Sequence, residues 1–248
     1  MKLSGHKILI TGGSSGIGFE LARSLIARNN QVAICGRDRQ KLDNARELLG
    51  EVITIQSDLA IASQIPELAQ TAAQQLGGLS MLVNNAGIQR NFRFSQSEPT
   101  QIGAAIAEEI QVNLTALIAL TAACLPMLKQ AESAAVLNIS SGLAIAPKAS
   151  APVYCATKAA VHSFSQTLRY QLEDDMPTIK VFEAIPPLVD TQMTQGRGKG
   201  KISPRQVAAE TLQGIERDRY EIPIGKVKLL QLIHRLVPAI AAKILRNS

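Results

Sequence analysis

Two side chains four residues apart, Tyr154 and Lys158, frame the chemistry this sequence can do. In a helical pattern that spacing puts phenol and ammonium on one face. A free phenol ionises near pH ~10, and a neighbouring cation favours its phenolate. Such a pair exchanges a proton with a carbonyl or alcohol oxygen. Lys158 supplies the cation, and the same ammonium is suited to hold ribose hydroxyls of a nucleotide. Ser141 lies upstream, at the end of an apolar strand pattern over residues 136–140. Side chains at such strand ends reach the ligand crevice of an open sheet, so its hydroxyl would hold the reacting oxygen beside Tyr154. Asn113 is polar within an apolar helical stretch, where it should bend the helix or bind water and so connect Lys158 to solvent. Taken singly, a Tyr-x-x-x-Lys pair is a helix-surface pair and a lone serine is a turn residue. The chemistry depends on a further feature that binds the electron carrier.

That feature is Thr11-Gly12-Gly13-Ser14-Ser15-Gly16-Ile17-Gly18, directly after the first strand pattern and before a helical one. Glycine is required where the chain bends tightly, where backbone approaches a pyrophosphate, and where helix and strand pack closely; Gly12, Gly16 and Gly18 meet these needs. Backbone N–H groups of Ser14, Ser15 and Ile17 then join the positive end of the helix in facing phosphate. Residues 31–35 form the second strand pattern, followed by Gly36 and Arg37 in place of an acidic residue. Arg37 is suited to a 2′-phosphate through charge-assisted hydrogen bonds, so NADP(H) is the expected cofactor. Asp38 follows and would instead face the ribose, which keeps NAD(H) as the alternative.

The elements that must position these groups alternate. Strand patterns over 7–11, 31–35, 51–56, 81–83, 135–139 and 180–184 are separated by helical ones, including residues 17–28. A β-α-β order of this kind predicts an α/β fold, a doubly wound parallel sheet with helices on both faces. The runs 81–83 and 135–139 lack alternation and read as central strands. Residues 101–129 are helical, and 114–125 are apolar nearly all round, which predicts an oligomer interface in a homodimer or homotetramer. The 248 residues, 46% hydrophobic and 19% charged, show no linker or composition break and suit a single folded domain over 1–248.

In order and spacing, TGGSSGIG at 11–18, NNAG at 84–87, Asn113, Ser141 and Tyr154-x-x-x-Lys158 resemble the short-chain dehydrogenase/reductase family over nearly the whole chain. The resemblance implies a Rossmann-like sheet and a catalytic tetrad of Asn113, Ser141, Tyr154 and Lys158. It also implies that Asp58 and Leu59 border the adenine, and that Asn85, Ala86 and Gly87 support the cofactor side of the sheet. Backbone near Val189 and Thr191 would reach the nicotinamide amide. The family usually has Pro-Gly after the sixth strand, whereas this chain has Pro186-Pro187, a stiffer turn. The stretch 181–194, with Gly-Lys-Val-Lys-Leu-Leu at 225–230, is similar to the DltE-like subgroup.

Composition narrows the partners. The formal charge of +6 accompanies only 3% aromatic residues and no basic-aromatic platform, so no nucleic-acid partner is expected. Three scattered cysteines and three scattered histidines give neither a disulfide framework nor metal-ligand spacing; no metal is expected. With strand-like residues beginning at position 7, no signal peptide is expected and the predicted location is cytoplasmic. A substrate loop is expected at about 188–202, where 196–201 alternate glycine with Arg197, Lys199 and Lys201, charges suited to an acidic substrate or a solvated loop. In the tail at about 226–248, Leu229, Leu230, Ile233, Val237, Ile240, Ala241, Ile244 and Leu245 share a helical stripe broken by Pro238. Packing on the fold or a twin subunit would cover it, with peripheral membrane contact as the alternative. The expected activity is NADP(H)-dependent interconversion of a small-molecule carbonyl and alcohol; the competing reading is a non-catalytic NADP(H) sensor.

Overall fold

Short apolar runs build one fully parallel sheet in the computed structural model, which describes residues 1–246. Asn247 and Ser248, the end of the expected tail, lie outside the described residues. The strands are β1 (Lys7–Thr11), β2 (Gln31–Gly36), β3 (Ile53–Gln56), β4 (Met81–Asn84), β5 (Ala134–Ile139), β6 (Ile179–Ile185) and β7 (Glu221–Pro223), in the order β3-β2-β1-β4-β5-β6-β7. The strand absent from the sequence reading is β7; three residues ending in proline are too short and too weakly patterned to stand out.

Both faces are covered, which explains the unalternating central strands. Ile8, Ile10, Met81, Val83 and Leu137 pack with α1 (Gly16–Ile26), α2 (Arg39–Leu49) and α7 (Pro204–Glu216) in one core cluster. Leu9, Leu82 and Val136 face the other way, towards α3 (Gln64–Leu76), α5 (Ala116–Leu128) and α6 (Pro152–Asp175). Each fully buried aliphatic side chain contributes about 1.5–3 kcal/mol. Two stacked cores therefore fix the sheet in register. Chain progression reverses between β1 and β4, so the crevice at the strands' C-terminal ends opens there, between the glycine turn and Asn84–Gly87.

The predicted long helix exists with an interruption at the polar residue. α4 (Pro99–Ile110) runs through a π-helical turn, Gln111–Thr115, into α5, and Asn113 lies in that turn. Widening the helix frees backbone groups and re-aims the side chain, a common local device at functional sites. Over Ile102–Leu128 this helix is long and apolar enough to cross a membrane. It nevertheless buries Glu109, Asn113 and Thr121 and packs against β4 and α3, as a core helix does. Its outward residues include Ile110 and Ile118, both exposed.

Pro238 divides the tail into α8 (Val227–Leu236) and α9 (Pro238–Leu245), where it takes the first position of the second helix. The single stripe expected from sequence is therefore two faces. Ala241 is buried and Leu230 and Ile233 are half-buried, whereas Leu229, Leu232, Leu236, Val237, Ile240 and Ile244 are exposed. The three cysteines are free and buried on β2, α5 and α6.

Candidate active site

The α1 N-terminus is built to receive an anion. Gly12 and Gly16 adopt positive φ, +64° and +57°, which other residues rarely tolerate. Gly18 is needed for close packing: a Cβ there would lie 2.5 Å from the Gly12 carbonyl oxygen and from Asn85 Nδ2. Ser15 occupies the N-cap position without a side-chain cap, and the first turn holds no acid. The terminal N–H groups and dipole are thus open to a pyrophosphate, and the residues fit a dinucleotide. Asn85 Nδ2 donates to the Thr11 and Gly12 carbonyls at 2.9 and 3.2 Å, and the Asn85 and Ala86 N–H groups donate to Thr11 Oγ1. These bonds clamp the turn to the end of β4. Leu59 and Ala86 line a tight, closed crevice with Val112, and the neighbouring Asp58 accepts from Ala60 N.

Thr191 faces the same turn, its Cγ2 lying 3.1 Å from where a Gly16 Cβ would stand. Between them opens a groove of about 400 Å³ lined also by Phe19 and Glu20 and not by Tyr154. Val189 is buried and pairs with Ile202, closing the base of the expected substrate loop; Lys201 is held by Asp190 at 3.3 Å and by the Thr194 carbonyl at 2.8 Å. The loop is a tied structure rather than a free basic strand.

At the end of β2 the two competing residues have separated. Asp38 caps α2, accepting from Lys41 N at 3.1 Å, while Arg37 remains 60% exposed and lies 3.5 Å from Glu108 on α4. Glu108 also takes Arg90 at 2.7 Å.

Asn113, Ser141, Tyr154 and Lys158 meet beyond the C-terminal ends of β4 and β5. Asn113 is fully buried; its Nδ2 donates to the Ile88 carbonyl at 2.9 Å and its Oδ1 accepts from Ile88 N at 2.8 Å. Gly87 stands between Asn113 and Lys158: a Cβ there would lie 3.3 Å from Asn113 Oδ1 and 3.7 Å from Lys158 Nζ. Ser141 caps a short turn, accepting from Leu143 N, and its hydroxyl lies beside the Tyr154 phenol. Lys158 Nζ lies 5.7 Å from the centre of the Tyr154 ring, which bears out the shared helix face.

The electrostatics differ from the sequence expectation. Burial pushes the Tyr154 phenol up to about 12, with the neighbouring Ser141 hydroxyl opposing the shift. Lys158 Nζ donates to the Ile139 carbonyl at 2.7 Å and lies 5.7 Å from the centre of the phenol ring. Burial instead pushes Lys158 down to about 8, partly countered by the Glu183 carboxylate. The pair is a protonated phenol above a lysine near neutrality, an arrangement suited to donating a proton.

Other buried polar groups carry no sequence signature. Glu109 on α4 is fully buried, with Oε1 accepting from Arg90 N at 3.1 Å and Oε2 without a partner; burial raises its carboxyl. Asn138 on β5 accepts from Asn84 Nδ2 at 2.9 Å and donates to Ser165 Oγ at 2.9 Å, joining both central strands to α6. Such residues are identified only through space.

Residues 6–201 match the family model described as short chain dehydrogenase. The chain is 40% identical over 237 residues to the uncharacterized oxidoreductase DltE of Bacillus subtilis (strain 168), covering 93% of this chain and 92% of that one. Among solved structures it is similar to a short chain dehydrogenase from Burkholderia cenocepacia J2315 in complex with NADP, at TM-score 0.86 and 22% identity over 100% of both chains. A short chain dehydrogenase/reductase from Burkholderia phymatum in complex with NAD superposes at TM-score 0.84 with 22% identity, covering 100% of this chain and 97% of that one. The sheet order, the glycine turn and these matches agree: the chain belongs to the short-chain dehydrogenase/reductase family of oxidoreductases.

Proposed function

We propose that this chain interconverts a carbonyl and an alcohol on a small molecule with NADP(H), Tyr154 acting as general acid and base. The bound nicotinamide would supply hydride to the carbonyl carbon in reduction and take it back in oxidation. Tyr154 gives its phenolic proton to the carbonyl oxygen, completing the alcohol. Ser141 orients that oxygen by hydrogen bonding, and Lys158 holds positive charge beneath the phenol and returns a proton along the Asn113 side. The observation that carries this reading is the half-buried Tyr154 sharing a helix face with Lys158, whose Nζ lies 5.7 Å from the phenol ring, beside Ser141 just past the end of β5. NADP(H) is favoured because Asp38 is committed to capping α2 while Arg37 stays exposed for a 2′-phosphate.

Tyr154→Phe keeps the ring and removes the proton. Turnover of any reducible carbonyl should fall by at least about 10²-fold, with the dissociation constant for NADPH unchanged. Activity retained in that variant would exclude Tyr154 as the acid.

We further propose a cytoplasmic homo-oligomer assembled through the outward face of α5, and peripheral membrane contact through α8 and α9. Exposed Ile118 supports the first, and the exposed tail leucines and isoleucines the second.

A further inference from the structure

Segments leaving the C-terminal ends of β4, β5 and β6 meet beside Tyr154 and bring two cations together. Lys148 is 9% exposed and Arg197 half-buried. With its amide oxygen turned towards them, Gln89 accepts from Lys148 Nζ and from Arg197 Nη1 at 3.0 Å each. Arg197 also donates to Asn91 Oδ1 at 3.4 Å and to the Met193 carbonyl. Neither cation forms a salt bridge among the described residues. Sharing one neutral oxygen places them within about 6 Å of each other, a range where like charges repel. Burying an ammonium without a counter-charge is unfavourable, and an amide oxygen offsets little of that cost.

The position relates the cations to the reacting group. Cys155, next to Tyr154, accepts from Lys148 N at 3.4 Å, and the Arg197 charge reaches the Tyr154 phenol. Burial, and then Arg197, lower Lys148. Glu109 faces the same phenol from α4, but it forms no ion pair with either cation; burial raises its carboxyl.

We propose that Lys148 and Arg197 form an anion subsite that takes the place of Gln89's amide with a carboxylate or phosphate of the substrate, while the substrate carbonyl lies at Tyr154. The substrate class is thus an anionic carbonyl compound or the corresponding alcohol. This rests on the carbonyl-reduction reading given above.

The test compares kcat/KM with NADPH for 4-oxopentanoate against its methyl ester, and for glyceraldehyde 3-phosphate against glyceraldehyde. At least one anionic member should exceed its neutral partner by about ten-fold, and Arg197→Ala and Lys148→Gln should each erase that preference through KM. Lys148→Arg should retain it. The two pairs separate a carboxylate from a phosphate. Neutral members used equally well in both pairs, or a preference unmoved by both variants, would overturn the subsite. A binding arm needs no turnover: the NADP-saturated protein is titrated with succinate and with inorganic phosphate by calorimetry. Binding abolished in both variants, with wild-type melting temperature, supports the subsite even where no carbonyl is reduced, an outcome that would defeat only the carbonyl reading. Absence of binding, or binding indifferent to both variants, overturns it.

Discussion

A protonated phenol above a lysine that titrates near neutrality sets the pH behaviour of the reaction. Lys158 is charged below about 8, whereas Tyr154 keeps its proton up to about 12. Reduction by the free enzyme should therefore lose kcat/KM as pH rises through about 8. Lys158→Arg should remove that limb from the pH profile, because guanidinium does not titrate there. At the cofactor's far end, Arg37→Ala should weaken NADPH binding by about ten-fold while leaving NADH unaffected, checked by fluorescence titration of both. Equal losses would assign Arg37 a role common to both cofactors. The Tyr154–Lys158 pair and the glycine turn were legible because their spacing is local, one helical turn and one loop, whereas Asn113 and Ser141 joined them through the order of the family's motifs. Lys148, Glu109 and Gln89 were not, because distant segments bring them together and no periodicity marks them.

Elements hold these residues through polar ties as well as apolar faces. On α6, His162 Nδ1 donates to Glu183 Oε2 of β6 at 2.7 Å, and Gln166 donates to Glu221 of β7 at 3.1 Å. The hydrogen bond to Glu183 raises His162, outweighing the opposing effect of its burial. A raised folded value stabilises the protein fully below the ordinary histidine range, near pH ~6.5, and the gain fades as pH climbs through the folded value. Thermal melts from pH 5 to 9 should show wild type losing this advantage over His162→Gln across that window; parallel curves would mean the pair adds no proton-linked stability. The strand positions and the doubly wound parallel class followed from unalternating runs and β-α-β punctuation; the order of the strands came from the structure. The π-helical turn did not, although Asn113 signalled a disturbance in the helix, since residue type alone does not specify which backbone bonds give way. β7 escaped because its pairing with β6, through Glu183, Ala184 and Ile185, defines it more than its own three residues do.

At the scale of the whole molecule, the tail joins the active-site rim to an apolar surface. Ala149 N donates to the Arg246 carbonyl at 2.9 Å, attaching the end of the tail to the loop before α6. Residues 226–246 contain Lys226, Lys228, Arg235, Lys243 and Arg246 and no acid, so a symmetric tail-to-tail contact would oppose like charges. An anionic lipid surface complements them at about 1 kcal/mol per basic residue. The protein should sediment with vesicles containing anionic lipid, and less so as salt rises. Leu232→Glu combined with Ile240→Glu should abolish this at unchanged melting temperature; equal binding to neutral vesicles would exclude the charge-assisted mode. The buried thiols have a different use. Burial raises Cys35 and Cys124 to about 12 and raises Cys155 as well, keeping sulfur unreactive in the closed fold. Because they lie on β2, α5 and α6, each becomes a timer for its own region: alkylation at each cysteine records how often that part of the protein opens, without any introduced label.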